Sequence, residues 1–170
     1  ICKNNVNAYI DETGVAKLTS ELLLQSYAGC TGSFTIEATD SLGNRYGADL
    51  PANTVGKKFT ANVAHSSNGN SCSSTVLVLD NLPPVITCQD TLFIWCNQAF
   101  TTAALGVPVV TDNTTASSSI SLTNKDVFSD MACMSMAGTV PVTSKVTRTW
   151  TATDLQGNTS TRVQHIFLKR

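Results

Sequence analysis

The chain contains two copies of one pattern. Residues 59–80 read FTANVAHSSNGNSCSSTVLVLD, and residues 150–168 read WTATDLQGNTSTRVQHIFL. Both run from an aromatic-Thr-Ala start through a Gly-Asn pair into an alternating apolar segment, and the Gly-Asn pairs lie 157 − 69 = 88 positions apart. The segments that open the two halves, CKNNV at 2 and CQDTL at 88, repeat at the similar offset of 88 − 2 = 86. Two matches at nearly one period predict a tandem of two related units.

Length and charge exclude several classes of function. A chain of 170 residues suits two small domains, each just large enough to bury a core of its own. Only 14% of the residues are charged, and the net charge is −1. A nucleic-acid binder needs a basic face, an anionic membrane attracts a polybasic segment, and a transmembrane helix needs about 20 apolar residues. We therefore expect no nucleic-acid partner and no membrane insertion.

Short alternating apolar segments separated by turn residues predict β-strands. We expect strands at 6–10, 15–18, 33–40, 57–64 and 73–79 in the first half, and at 85–88, 92–96, 109–112, 120–123, 139–151 and 161–168 in the second. Single helical turns are expected at 19–24 and 101–105. No segment is long enough for the crossover helix of a parallel sheet. The pattern predicts an all-β protein of two tandem immunoglobulin-like β-sandwich domains.

Pro83 and Pro84 mark the domain boundary. Two consecutive prolines remove backbone donors and stiffen the chain, so a short Pro-Pro linker is expected. The predicted domains are residues 1–82 and 85–170.

The six cysteines are Cys2, Cys30, Cys72, Cys88, Cys96 and Cys133. They form no C-x-x-C pair, and the chain has only two histidines, so the spacing does not suit zinc. An even number of cysteines in small Ser/Thr-rich β domains indicates disulfides and an oxidising, extracellular location. Six reduced, buried thiols are the alternative.

The residue types that carry enzyme chemistry form no convincing constellation. Asp40–Asn44 and Asp154–Asn158 share a D-x-x-G-N form, but both lack the oxygen ligands of an EF-hand loop, so each Asp is expected to cap a turn. His65 and His165 lie on predicted strands of different units. No nucleophile elbow, zinc helix or phosphate loop is present. We expect no enzymatic activity, no metal and no cofactor.

Several other side chains are candidates for packing or contact. Phe59 and Trp150 occupy matching positions in the repeats and are expected to anchor the two cores, with a sugar platform as the alternative for Trp150. Three methionines, Met131, Met134 and Met136, surround Cys133 and form either a subunit interface or a loop that covers one end of the sandwich. Asn113 and Asn158 match the N-glycan acceptor pattern.

The second unit resembles the hyalin-repeat type of immunoglobulin-like domain. The matching segments are PPVITC at 83–88, PVVTDN at 108–113, TRTWTATD at 147–154 and Gly-Asn at 157–158. The first unit is similar to a companion repeat of very large secreted proteins of Bacteroidota-type bacteria, through CKNNV at 2–6, YIDETG at 9–14, Gly-Cys at 29–30, Val-Gly at 55–56 and GNSC at 69–72. Together the resemblance covers almost the whole chain and implies export.

The resemblance also bears on disulfides and glycans. Cysteines usual in the family are missing near Thr114, Gln156 and Ser160, and around Pro51 and Ala52. The expected pairs are Cys2–Cys72 and Cys96–Cys133, while Cys30 and Cys88 bridge the boundary, bridge subunits or stay reduced. Such bacteria O-glycosylate an Asp-Ser/Thr-apolar motif, which implies candidate sites at Ser41 and Thr91.

These observations predict a non-enzymatic structural protein of the extracellular space or cell surface. Its expected role is that of a subunit in a fibre assembled head-to-tail, so its partner is another copy or a neighbouring domain of the same parent. The alternatives are an adhesin module that binds a glycan or a protein, and spacer domains of a larger secreted protein.

Overall fold

The computed structural model describes residues 1–26, 32–132 and 135–170. Its contacts divide the chain into unit 1, Ile1–Leu82, and unit 2, Pro83–Arg170. Both units are immunoglobulin-like β-sandwiches, which confirms the all-β fold predicted from the sequence.

Unit 1 contains seven described strands and two short helical segments. These are β1 Asn5–Tyr9, β2 Val15–Lys17, α1 Ser20–Leu23, β3 Phe34–Asp40, β4 Arg45–Tyr46, β5 Asp49–Pro51, a 3-10 turn Ala52–Thr54, β6 Lys58–His65 and β7 Ser71–Leu79. Helix α1 begins where the sequence predicted, because the Thr19 hydroxyl accepts the Leu22 N–H at 3.2 Å.

The two sheets of unit 1 enclose one core. The large sheet has the order β1-β7-β6-β3-β4, and the small sheet pairs β2 with β5. Alternation along β6 buries Phe59, Ala61 and Val63 and exposes the residues between them. Phe59 is buried in this core, as expected of an anchor.

Unit 2 repeats this plan with different strand lengths. Its elements are β8 Val85–Thr87, β9 Thr91–Trp95, α2 Thr102–Leu105, β10 Val109–Thr111, a 3-10 turn Ser117–Ser119, β11 Ser121–Asp130, β12 Met136–Ala137, β13 Val140–Thr153 and β14 Thr159–Lys169. The large sheet follows the order β11-β13-β14-β9, β12 joins β13 separately, and the small sheet pairs β8 with β10.

Trp150 anchors the core of unit 2. It is buried on β13 against Ile86, Val110 and Ala152, and its indole N–H donates to Gln164 Oε1 at 3.3 Å. A second cluster of Ile94, Val146, Ile166 and Leu168 fills the other end of the sheet. The burial of Trp150 contradicts the alternative of an exposed sugar platform.

In both units the first strand of the large sheet pairs in parallel with the last one. Strand β1 lies beside β7, with Tyr9 opposite Leu79, and β9 lies beside β14, with Trp95 opposite Lys169. The predicted repeat is therefore a repeat of topology as well as of sequence.

Some predicted bounds were wrong. Strand β11 was expected at 120–123 but extends to Asp130. Strands β4 and β12 were not among the predicted strands. These strands have two residues or few buried side chains, so apolar alternation does not mark them.

Candidate interaction surfaces

Cys2 and Cys72 form a disulfide in unit 1. Their Cα atoms are 5.7 Å apart, and 70 positions separate them in sequence. Cys72 lies on β7, the last strand, and Cys2 precedes β1 in a bridge with Leu24. The disulfide therefore joins the start of the unit to its last strand, and it is the Cys2–Cys72 pair that was predicted.

The other four cysteines do not take part in that disulfide. Cys88 and Cys96 carry free thiols, with Cys88 half-buried in a cleft beside Trp150 and Cys96 exposed at the end of β9. Cys30 and Cys133 lie outside the described residues. The predicted Cys96–Cys133 pair is wrong, because the Cys96 thiol is free.

Two Asp residues hold turns of the same design. Asp40 Oδ1 accepts the N–H groups of Leu42 and Asn44, both at 2.9 Å, and Asp40 Oδ2 accepts from the Asn44 side chain at 2.9 Å. Asp154 contacts Gln156 and Asn158 in the same way, at 2.7–2.9 Å. The pKa of Asp40 is lowered below its ordinary value, mainly by the hydrogen bond from the Asn44 side chain. Both carboxylates act as turn caps.

A second carboxylate lies close to Asp154 within unit 2. Asp112 Oδ1 accepts the backbone N–H groups of Thr114 and Thr115 at 3.0 and 2.7 Å. Its Oδ2 is buried and, in the part of the chain that the structure describes, has no hydrogen-bond partner. An oxygen of Asp154 lies within 4.8 Å. Asp112 and Asp154 could supply two oxygen ligands to a hard cation, fewer than the six to eight that calcium takes.

The two histidines lie in unrelated surroundings. His65 Nδ1 is 3.0 Å from the Ser67 hydroxyl, and its ring packs edge-on against Phe34. Within residues 1–26, 32–132 and 135–170, no carboxylate bonds to His65, so the Ser-His contact lacks the third group of a catalytic triad. His165 lies on β14 opposite Thr147 and Thr91.

Unit 2 contains a buried charge that the sequence did not reveal. Arg148 on β13 is 1% exposed and donates to both carboxylate oxygens of Asp126 on β11 at 2.7 Å. It also donates to the Phe100 carbonyl at 2.6 Å. The Asp126 pKa is lowered, mainly by its hydrogen bond from Arg148. This pair ties β11 and the 97–107 segment to β13.

The outer surface of the large sheet in unit 2 carries aromatic rings and lysines. Phe93 and Trp95 are 41% and 52% exposed. Phe93 stacks on Phe167 with 5.5 Å between ring centroids. Lys169 Nζ lies 4.0 Å from the Trp95 ring, and Lys145 Nζ lies 5.7 Å from the Phe167 ring. These five residues are called the aromatic face below.

The aromatic face has one sign of charge. Strand alternation places Asp126 and Asp130 of β11 on the core side, and β9, β13 and β14 contain no acidic residue. The described part of this sheet therefore presents lysines outward and no carboxylate. The matching sheet of unit 1 has Glu37 on its outer side, paired with Arg45 at 3.0 Å, and polar residues beside it. The two repeats have diverged on this surface.

A second apolar surface lies on the opposite side of unit 2. Val85 and Val109 alternate with the buried Ile86 and Val110, so they point outward from the small sheet, and Val107 is exposed just before β10. These three residues are called the valine strip below. Because the valine strip and the aromatic face lie on different sheets of one sandwich, they face opposite directions.

The candidate glycan and interface residues lie in varied settings. Ser41 and Thr91 are exposed, at a turn and at the start of β9, whereas Asn113 is half-buried. Asn158 donates its amide N–H to Asp154 at 2.8 Å, so the acceptor nitrogen of an N-glycan holds the turn. Met131 is half-buried, Met136 is exposed and Met134 lies outside the described residues. The subunit interface predicted for these methionines stays a prediction.

Sequence reasoning missed the aromatic face because its residues come from three strands. Alternation in the 91–95 segment could have placed Phe93 and Trp95 on one side of a strand. Their contact with Phe167 and Lys169 depends on the register of the parallel β9–β14 pair, which no local signal specifies.

Comparisons with known proteins leave the family open. No family model and no curated protein matches the chain. Among solved structures, the EC1-2 fragment of human protocadherin-24 aligns over 99% of this chain and 97% of its own, with 13% identity and a TM-score of 0.34. No helix among the described residues has the length and apolarity needed to span a bilayer.

Proposed function

We propose that this chain is a non-enzymatic structural protein of the extracellular space, a subunit of a cell-surface fibre assembled head-to-tail. The observation that carries this proposal is the pair of opposed apolar surfaces on unit 2. Among the described residues, thirteen large apolar side chains are exposed, and ten of them belong to unit 2, 13 − 3 = 10. They include the whole valine strip and, from the aromatic face, Phe93 and Trp95. Apolar surface exposed in contiguous patches is typical of protein contacts.

Opposed surfaces determine the kind of assembly. A contact between two different patches is heterologous, and it produces an open filament when the rotation between copies does not close a ring. The valine strip of one copy against the aromatic face of the next would repeat without limit. A single patch that contacts itself would stop at a dimer.

We expect purified chain to form filaments that electron microscopy and sedimentation detect, and each of two single variants to abolish them. Val109→Asp alters the valine strip, and Trp95→Asp alters the aromatic face, so each joint loses one partner. Both side chains are exposed, so the fold should be retained. Glu12→Gln, at an exposed turn of unit 1, is the matched control and should leave the filaments intact.

Mixing the two variants distinguishes this assembly from others. A mixture of Val109→Asp and Trp95→Asp retains one intact joint between unlike variants, so the two variants should bind each other although neither forms filaments alone. A wild-type chain that stays monomeric at millimolar concentration, or filaments that survive both variants, would contradict the proposal.

The aromatic face favours one alternative, the binding of an acidic polysaccharide. Exposed aromatic rings offer flat apolar surfaces, and neighbouring lysines attract carboxylate or sulfate groups. No carboxylate lies on the described part of this face, so an acidic polysaccharide would meet no like charge there.

For this alternative we expect Lys145→Ala with Lys169→Ala to weaken binding to an immobilised sulfated glycan by at least about tenfold, the loss of 1.4 kcal/mol. The measurement is surface plasmon resonance at low salt, since screening weakens exposed charge contacts. Lys57→Ala with Lys58→Ala, two lysines of unit 1, is the control with equal loss of charge. Equal weakening by both double variants would mean that only net charge matters.

A further inference from the structure

Strand β11 presents an open edge along its whole length. It has ten residues, Ser121–Asp130, and pairs with β13 on one side. Nine of the ten residues are exposed, and within the described part of the chain no strand pairs with its other side. In unit 1 the corresponding strand β3 is partly covered, because β4 pairs with it at Ala38 and Thr39. Proteins usually cover or shorten such edges, since unpaired backbone groups recruit other strands.

The direction of the backbone groups on β11 follows from one hydrogen bond. The Met131 N–H, one residue beyond the strand, donates to the Thr143 carbonyl of β13 at 2.9 Å. Successive residues of a strand direct their backbone groups to alternate sides. The odd-numbered residues of β11 therefore bond to β13, and the even-numbered ones direct their N–H and C=O groups outward. These outward residues are Leu122, Asn124, Asp126, Phe128 and Asp130.

Two apolar side chains lie at the middle of this edge. Val127 and Phe128 are 54% and 52% exposed and, as neighbours in a strand, project to opposite faces of the sheet. A strand added at this edge would cover both of them from the side. The edge thus combines free backbone groups with apolar side chains on both faces.

The charges on β11 select one way for two copies to pair. In an antiparallel pair centred on Val127, Val127 lies opposite its own copy, Lys125 opposite Ser129, and Asn124 opposite Asp130. The pair centred on Asp126 would oppose two Asp126 carboxylates, and the pair centred on Lys125 would oppose two lysines. The pair centred on Phe128 would oppose Asp126 to Asp130. Only the first register covers the apolar middle without like charges in contact.

This register also satisfies the backbone. With Val127 at the centre, the outward residues Asp126 and Phe128 lie opposite each other and can exchange both hydrogen bonds, and so can Asn124 and Asp130. The Asp126 carboxylate keeps its bond to Arg148, because that side chain lies on the core face and not in the edge.

We propose that two copies of this chain pair antiparallel through β11, centred on Val127, so that one continuous sheet runs through both second units. This contact is isologous and uses neither the valine strip nor the aromatic face. It therefore does not depend on the proposed fibre, and filaments and β11 dimers are separate readouts.

The first test removes one outward N–H. We expect Asn124→Pro to weaken dimerisation at least about tenfold in analytical ultracentrifugation, while Asn124→Ala changes it by less than about threefold. Both variants lose the Asn124 side chain and its bond to Asp126, but only proline loses the N–H. Proline is tolerated on an edge strand where the N–H faces outward, so the fold should persist. The Val109→Asp background, which blocks filaments, keeps the dimer measurable.

The second test determines the register of the pair and does not use proline. Val127→Cys places two thiols opposite each other at a Cα separation of about 4.5 Å in a non-hydrogen-bonded pair, within disulfide range. Ser129→Cys, the control on the same face, would lie about 13 Å from its own copy. In a background with Cys88→Ser and Cys96→Ser, we expect mild oxidation to cross-link Val127→Cys at least about tenfold faster than Ser129→Cys or the background alone.

Three outcomes would overturn the pairing. They are a chain in the filament-blocked background that stays monomeric up to millimolar concentration, equal dimerisation of Asn124→Pro and Asn124→Ala, and cross-linking of Ser129→Cys as fast as that of Val127→Cys. Dimers that form as expected while the unblocked chain makes no filaments would support this pairing and reject only the fibre.

Discussion

Asp126→Ala should lower the free energy of unfolding of unit 2 by about 3 kcal/mol. Arg148 is 1% exposed, and Asp126 is its only carboxylate partner among the described residues. Without it the guanidinium keeps the Phe100 carbonyl, but a buried positive charge has lost its counter-charge. Removing one member of a buried pair costs more than the pair itself contributes, because the remaining charge stays desolvated. Asp126 is 28% exposed, which places the expected cost at the lower end of the range.

Tryptophan fluorescence isolates this effect, since Trp95 and Trp150 are the only tryptophans and both lie in unit 2. The matched control is Asp90→Ala, which removes a contact of similar length, 2.6 Å to Arg162, between two exposed side chains. Water screens and solvates that pair, so its loss should cost less than about 1 kcal/mol. Equal destabilisation by the two variants would show that burial of Arg148 does not decide the cost.

The difference in free energy of unfolding between wild type and Asp126→Ala should depend on pH if its origin is electrostatic. The Asp126 pKa is lowered in the folded chain, mainly by the hydrogen bond from Arg148. A lowered pKa contributes stability above the unfolded value of about 3.9, and this contribution is lost as the pH falls through the folded value. The free energy of unfolding of the wild type should therefore exceed that of Asp126→Ala by a constant amount near neutral pH, and this difference should become smaller below about pH 4. A gap that is unchanged in acid would point to packing alone.

Cys72→Ser should lower the free energy of unfolding of unit 1 by about 2–4 kcal/mol. The bond closes a loop of 70 positions, so it removes much of the freedom of the unfolded unit. A sandwich of about 80 residues has a net stability of roughly 5–10 kcal/mol, so the loss is a large share of it. Calorimetry should show the unit 1 transition at a lower temperature.

Cys96→Ser is the matched control, because it replaces an exposed free thiol of unit 2 and should leave the unit 1 transition unchanged. Reductant should destabilise the wild-type chain by as much as Cys72→Ser does, and should not affect the variant further. A reductant effect that persists in Cys72→Ser would mean that another disulfide contributes.

Local patterns predicted the strands that bury one face and the turns that join them. Alternation along 139–151 and 161–168 indicated β13 and β14, because every second residue is buried from Val142 onward in β13 and from Gln164 to Leu168 in β14. The D-x-x-G-N turns were predicted correctly because the interacting groups lie within four positions of each other. Such contacts are encoded by short stretches of chain.

Features that depend on pairing between distant strands could not be predicted. The edge position of β11 leaves both of its faces largely exposed, so the NKDVFSD segment lacks apolar alternation. The burial of Arg148 is invisible in a Thr-Arg-Thr sequence, because its counter-charge lies 22 positions away on β11. The aromatic face likewise depends on β9 lying parallel to β14 in one register.

The Cys2–Cys72 bond has a mechanical consequence for any array built from such chains. A pulling force that enters unit 1 before Cys2 and leaves after β7 would pass through the disulfide, so residues 3–71 between the two cysteines would carry no tension. Unit 1 would resist stretching as a nearly inextensible link. Unit 2 has no such bond among its described residues, and its load would pass through the parallel contact of β9 with β14, which must slide along its length to separate. One unit would limit extension, and the other could yield and absorb energy.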